Sequence, residues 1–104
     1  MIRIANRMKV YKSCFAEYKR RHDEIWPEMK AELKAHGYHN YSIFLDEETG
    51  DLFAFAEIED EKRCAAMADT AVCRKWWDSM KDLMETNPDN SPKSVDLREV
   101  FFLP

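Results

Sequence analysis

Residues 38 to 46 (YHNYSIFLD) and 52 to 59 (LFAFAEIE) are two β-rich runs separated by little more than Glu47-Glu48-Thr49-Gly50. A connection that short folds the second run back against the first, and Gly50 supplies the left-handed turn residue, so the pair is a hairpin. The second run is apolar on both parities: Leu52, Ala54, Ala56 and Ile58 alternate with Phe53 and Phe55. A strand of that kind needs cover on both faces of its sheet.

The rest of the chain is arranged around the hairpin. In residues 2 to 10, Ile2, Ile4, Met8 and Val10 share one parity and Arg3, Arg7 and Lys9 the other, which predicts a strand with one buried face. Ser13 is placed to cap a following helix whose Phe15, Tyr18, His22 and Ile25 recur at spacings of three and four. Pro27 disfavours helical geometry at Trp26 and suits the first position of a second helix running to His36, where Gly37 stops it. Beyond the hairpin, a helix begins near Asp60 with Cys64, Met67 and Ala68 on one face. Another spans about 71 to 85 and carries Val72, Cys73, Trp76, Trp77, Met80, Leu83 and Met84. Asn87-Pro88-Asp89-Asn90-Ser91-Pro92 is a loop, and residues 95 to 103 predict a last strand.

The order β-α-β-β-α-β predicts an α+β, ferredoxin-like sandwich: an antiparallel sheet with helices on one face. Nothing among the helices is left to cover the other face, where Phe53, Phe55 and alternate residues of the last strand fall. A homodimer packed sheet to sheet, a dimeric α+β barrel, is the expected remedy. With 104 residues, 45% of them hydrophobic, no repeat and only two glycines, the chain is expected to be one domain over 1–104.

Charge and cysteine usage narrow the function classes. A net charge of -4 and a pI near 5.4 argue against nucleic acid as a partner, since the densest basic run, Lys19-Arg20-Arg21, stands among acidic neighbours. No apolar run is long enough for a signal peptide or a membrane span, so a cytoplasmic protein with no membrane partner is expected. Cys14, Cys64 and Cys73 are odd in number and widely spaced, which predicts reduced thiols. Asn40-Tyr41-Ser42 matches a glycosylation acceptor by chance, inside a strand. His36 and His39 are split by a glycine and make a weak start for a metal site.

His22 stands on the inward stripe one turn from Tyr18, and Tyr41, Trp76 and Trp77 lie on elements that line the same interior. Each of these aromatic residues carries a polar tip that must be satisfied, so the cluster reads either as an aromatic core or as a pocket. No phosphate loop and no nucleophile elbow is present. Flat rings with a few polar donors suit a pyranose, and an imidazole among phenols could open and reclose a cyclic hemiacetal. Composition permits that reaction without selecting it.

Taken together, Tyr18 to His22, Ile25-Trp26-Pro27-Glu28, His39-Asn40-Tyr41, Trp76-Trp77, the Asn87 to Pro92 loop and Glu99-Val100-Phe101 resemble the L-rhamnose mutarotase family, in colinear order over essentially the whole chain. The resemblance implies an isomerase that exchanges the α and β anomers of L-rhamnose, a cytoplasmic homodimer using no metal or organic cofactor. It implies His22 as proton donor, and Tyr18, Tyr41, Trp76 and Trp77 as sugar-binding residues. A small dimeric barrel oxygenase and a non-enzymatic sugar-binding dimer are the competing readings.

Overall fold

The computed structural model describes Met1–Pro104. Strand β1 (Ile2–Lys9) leads through a single 3₁₀ turn to α1 (Phe15–Asp23) and α2 (Pro27–Ala35). The hairpin is β2 (Tyr38–Asp46) and β3 (Asp51–Ile58), followed by α3 (Glu61–Ala66), α4 (Ala71–Met80) and a short β4 (Val95–Leu97). The strands form one antiparallel sheet in the order β2-β3-β1-β4. This is the ferredoxin-like α+β arrangement, with each helical region in two pieces. No helix is long and apolar enough to cross a membrane.

The two parities of the strands separate as their composition requires. Leu52, Ala54, Ala56 and Ile58 of β3 are buried beneath the helices with Met8 and Val10, while Phe53, Phe44, Val95 and Leu97 stand exposed. From the helices, Tyr18, Met29, Cys73, Trp76 and Met80 complete the core. Trp26 is extended at ψ 137° and Pro27 opens α2, so the proline both ends one helix and starts the next. Gly37 follows α2 at φ 83°. Gly50 closes the hairpin at φ 82°, and a Cβ there would lie 2.6 Å from the Val10 carbonyl oxygen, so glycine is required on both counts.

Three local expectations differ. Ser13 does not cap α1: it sits in the 3₁₀ turn Lys12–Cys14, and the helix starts without a side-chain cap. The α4 helix stops at Met80 rather than near Glu85, because the chain beyond it docks on the end of β1: Tyr11 N–H donates to Leu83 O and Glu85 N–H to Lys9 O. The last strand covers only Val95–Leu97, since β1 offers partners to those residues alone, Ala5↔Leu97 to Arg7↔Val95. Beyond that strand, Glu99 meets Arg3 in a bidentate pair with both contacts at 2.8 Å.

The hairpin holds one irregularity that matters below. Between His39↔Glu57 and Ser42↔Phe55, β2 spends three steps where β3 spends two, which is a β-bulge. Asn40 takes the left-handed conformation that the bulge requires, at φ 47°, and its amide donates to Glu57 Oε1 at 3.1 Å. The extra residue resets the alternation. Tyr38 and Tyr41, of opposite parity in a regular strand, therefore both turn toward the helices and stack with ring centroids 5.5 Å apart.

Candidate active site

Between the helices and the inner face of the sheet lies a cavity of about 1180 Å³, and Tyr18, His22, Tyr41, Trp76 and Trp77 all line it. The positions come from three elements. Tyr18 and His22 are one turn apart on α1, with rings stacked at 4.3 Å. Trp76 reaches from α4 and meets the His22 ring edge-on at 5.3 Å. Arg21 fixes the two helices against each other, since its guanidinium bonds Glu17 on its own helix and reaches the Ser79 carbonyl and Asp82 at the end of α4. Behind Trp76, Trp26 packs at right angles with centroids 5.3 Å apart.

His22 has one ring nitrogen committed. Nδ1 lies 3.0 Å from the Tyr18 carbonyl oxygen. A carbonyl only accepts, so that contact places the proton on Nδ1 and leaves Nε2 with its lone pair in the neutral ring. Burial lowers the pKa of His22 below its ordinary 6.5, against smaller opposing effects from the Tyr18 carbonyl and Asp23. At neutral pH the ring is therefore uncharged and presents an acceptor. The proton-donor role that the resemblance implies for His22 would therefore require the ring to take up a proton first.

The phenols are kept protonated by the same cause. Burial raises the pKa of Tyr18 above its ordinary 10 and pushes Tyr41 up to about 12. Tyr41 is 43% exposed as a whole residue, while its phenol is enclosed enough for burial to raise its pKa. Tyr38 is raised as well, by burial first and then by the Cys64 thiol, whose Sγ donates to its hydroxyl at 3.1 Å. Among the tryptophans, Trp76 is largely enclosed by His22 and Trp26, whereas Trp77 is half-buried with the Arg74 guanidinium 5.3 Å from its ring centre. Trp77 and Tyr41 thus offer more open ring surface than Trp76.

The loop after α4 joins the site. Asp89 meets Arg74 at 3.3 Å and Asn90 donates to Asp78 at 2.8 Å, which ties the loop to the helix that carries Trp77. Inside it, the Asn87 amide donates to Ser91 Oγ at 3.0 Å, and Asn87, Ser91, Pro92 and Ser94 line the cavity. Cys14, Cys64 and Cys73 are free thiols, and burial pushes Cys73 up to about 11. No three His, Cys, Asp or Glu side chains come together in an arrangement that could hold a metal ion.

Sequence reasoning missed Tyr38, Trp26, Arg21 and Asn6 as parts of this site. Tyr38 was concealed by the bulge, and Trp26 and Arg21 act through their neighbours. Asn6 left a signal: it is the one polar residue at the inward parity of β1 between Ile4 and Met8.

Comparison with known proteins gives a consistent result. A family model described as L-rhamnose mutarotase matches residues 3–103. The L-rhamnose mutarotase of Bacillus subtilis is 61% identical over 103 residues, covering 99% of each chain. The crystal structure of an L-rhamnose mutarotase from Formosa agariphila superposes with a TM-score of 0.92 at 46% identity, covering both chains in full. A dimeric ferredoxin-like protein from an uncultured marine organism, with a TM-score of 0.64 and 14% identity, covers 98% of this chain and 94% of its own, and shows likeness of fold alone.

Proposed function

The chain belongs to the L-rhamnose mutarotase family and interconverts the α and β anomers of L-rhamnose, and from that premise we propose that His22 is the group that moves the proton. The observation that carries this reading is the commitment of Nδ1 to the Tyr18 carbonyl, which leaves a lone pair on Nε2 in a ring that lines the cavity. Neutral His22 takes the proton of the anomeric hydroxyl. As the C1–O1 bond becomes a carbonyl, the bond from C1 to the ring oxygen breaks. The imidazolium just formed gives its proton to that ring oxygen. Both oxygens are bonded to C1, so one nitrogen can serve both without moving far.

The aldehyde turns about C1–C2 and recloses on its other face by the reverse steps, which regenerates neutral His22. The phenols of Tyr18 and Tyr41 hold the sugar by hydrogen bonds, their raised pKa values keeping them donors. Trp76 and Trp77 provide apolar surface for the C–H face of the pyranose. His22 is a proton donor in this scheme, but only after it has acted as a base. Membership of the family displaces the oxygenase and the non-enzymatic sugar binder as readings of the cavity.

Around this chemistry we place a cytoplasmic enzyme, one domain over 1–104, that needs no cofactor and binds neither membrane nor nucleic acid. It works as a homodimer, since Phe44, Phe53, Val95 and Leu97 expose a continuous apolar sheet face that a second copy would cover.

The test is the pH dependence of mutarotation followed by polarimetry on freshly dissolved crystalline L-rhamnose. The protein-dependent rate should fall on the acid side as His22 protonates below 6.5 and hold level from neutrality to about pH 9, since the phenols stay protonated there. A rate that rises as pH drops through 6.5 would instead require the imidazolium as the resting form and overturn the scheme.

A further inference from the structure

On β1, Ile4, Met8 and Val10 present apolar side chains to the cavity, and Asn6 interrupts them. A leucine or phenylalanine at that parity would continue the stripe of a dry core. The Asn6 carboxamide instead carries the one buried side-chain oxygen or nitrogen in the protein that has no hydrogen-bond partner, Oδ1. Buried polar atoms are nearly always paired, and an orphan is costly to keep. Its strand neighbour on β3 is Ala54, too short to reach it or to cover it, and its partner on β4 is Asp96.

We propose that Asn6 is a further substrate-binding residue, whose carboxamide hydrogen-bonds a hydroxyl of the bound sugar from the sheet side of the cavity, across from the helix that carries His22. The identity of the ligand as L-rhamnose rests on the mutarotase reading; the polar contact itself does not. As the amide stands, Oδ1 is enclosed and Nδ2 is the end open to a ligand. A hydroxyl both donates and accepts, so it can accept a hydrogen bond from Nδ2 or, once the amide turns over, donate to the oxygen. The surroundings suit a sugar edge. Asn87, Ser91 and Ser94 line the same cavity, and their loop is bound to α4 beside Trp77 through Asp89 and Asn90. A pyranose with an apolar face against aromatic rings has its hydroxyls at the rim, where such side chains are useful.

The experiment compares wild type with Asn6→Leu, which restores the apolar stripe, and Asn6→Ala, which avoids overpacking should the leucine variant fail to fold. Binding of L-rhamnose is read by tryptophan fluorescence, independently of turnover, and repeated with its monodeoxy analogues; KM, kcat and thermal stability are measured alongside. Loss of one neutral hydrogen bond should raise Kd and KM by about three- to tenfold, with a smaller effect on kcat. One deoxy analogue should bind wild type weakly by the same factor yet lose nothing further in the variants. Stability should hold or rise in Asn6→Leu, because an orphan polar atom has been removed.

Unchanged Kd and KM in folded variants would overturn the proposal and leave Asn6 a structural residue. Wild type that binds rhamnose without accelerating anomer exchange would defeat the mutarotase reading while the Kd comparison still decides Asn6. Wild type that exchanges anomers, with variants of unaltered KM, would defeat the role of Asn6 alone.

Discussion

His22 works under two constraints that act in the same direction. The Tyr18 carbonyl fixes its proton on Nδ1, and burial disfavours its charged form, so the neutral base is the resting state. His22→Ala should lower kcat by about 10²- to 10⁴-fold, the usual span for a lost acid/base group, in an anomer-exchange assay. Tyr18→Phe keeps the ring stacked on His22 and removes only the hydroxyl. It should raise KM by up to about tenfold, measured by the same assay, with thermal stability nearly unchanged.

Linkage gives a separate check on His22 through stability. Its folded-state pKa lies below the unfolded 6.5, so the unfolded chain takes up the proton first as pH falls. The contribution to stability is intact above 6.5 and is lost as pH drops from there through the folded value. Denaturant unfolding of wild type should weaken over that window, and His22→Ala should be flatter. The carboxylates do not confuse the reading. Arg20 and Arg21 hold Glu17 down to about 2, and His39 with Arg63, Ser91, and Arg3 hold Glu59, Asp89 and Glu99 below their ordinary values. Their stabilisation is lost only once pH falls below the carboxylate values of 4.5 and 3.8.

At the scale of elements, the site depends on how the chain is broken. Pro27 divides the first helical region and lets Trp26 turn back to support Trp76, a break visible in the sequence because proline has one mechanism there. The β2 bulge was not visible. Alternation in YHNYSIFLD gives no sign that a residue is to be skipped, and an asparagine serves a regular turn as well as a left-handed bulge position. The inward stripe of Phe15, Tyr18, His22 and Ile25 was legible from its period, and all four line the cavity. The neutral state of His22 was not, since it follows from enclosure by elements far apart in sequence.

The bulge makes a prediction of its own. Asn40→Ala places a less tolerant residue at φ 47° and should cost about 1–2 kcal/mol in denaturant unfolding, while Asn40→Gly should restore most of that loss. Both should weaken sugar binding if Glu57 and Asn40 hold Tyr41 in place.

For the whole molecule, the two faces of the sheet divide the labour. The inner face carries the cavity, and the outer face exposes Phe44 at 66% and Val95 at 51%, with the Arg3 guanidinium packed over the Phe102 ring from the C-terminal segment. We expect sedimentation equilibrium to give twice the chain mass. Phe44→Glu, on the outer face opposite Phe53, should shift the protein toward monomer by burying an unpaired carboxylate in the interface.

The most direct test of His22 as the proton carrier is NMR saturation transfer between the α and β anomeric protons of L-rhamnose at equilibrium, with wild type and with folded His22→Ala. Fast transfer with wild type and only the spontaneous rate with the variant is the predicted result. Equal transfer by both proteins would contradict it and move the proton to another group in the cavity.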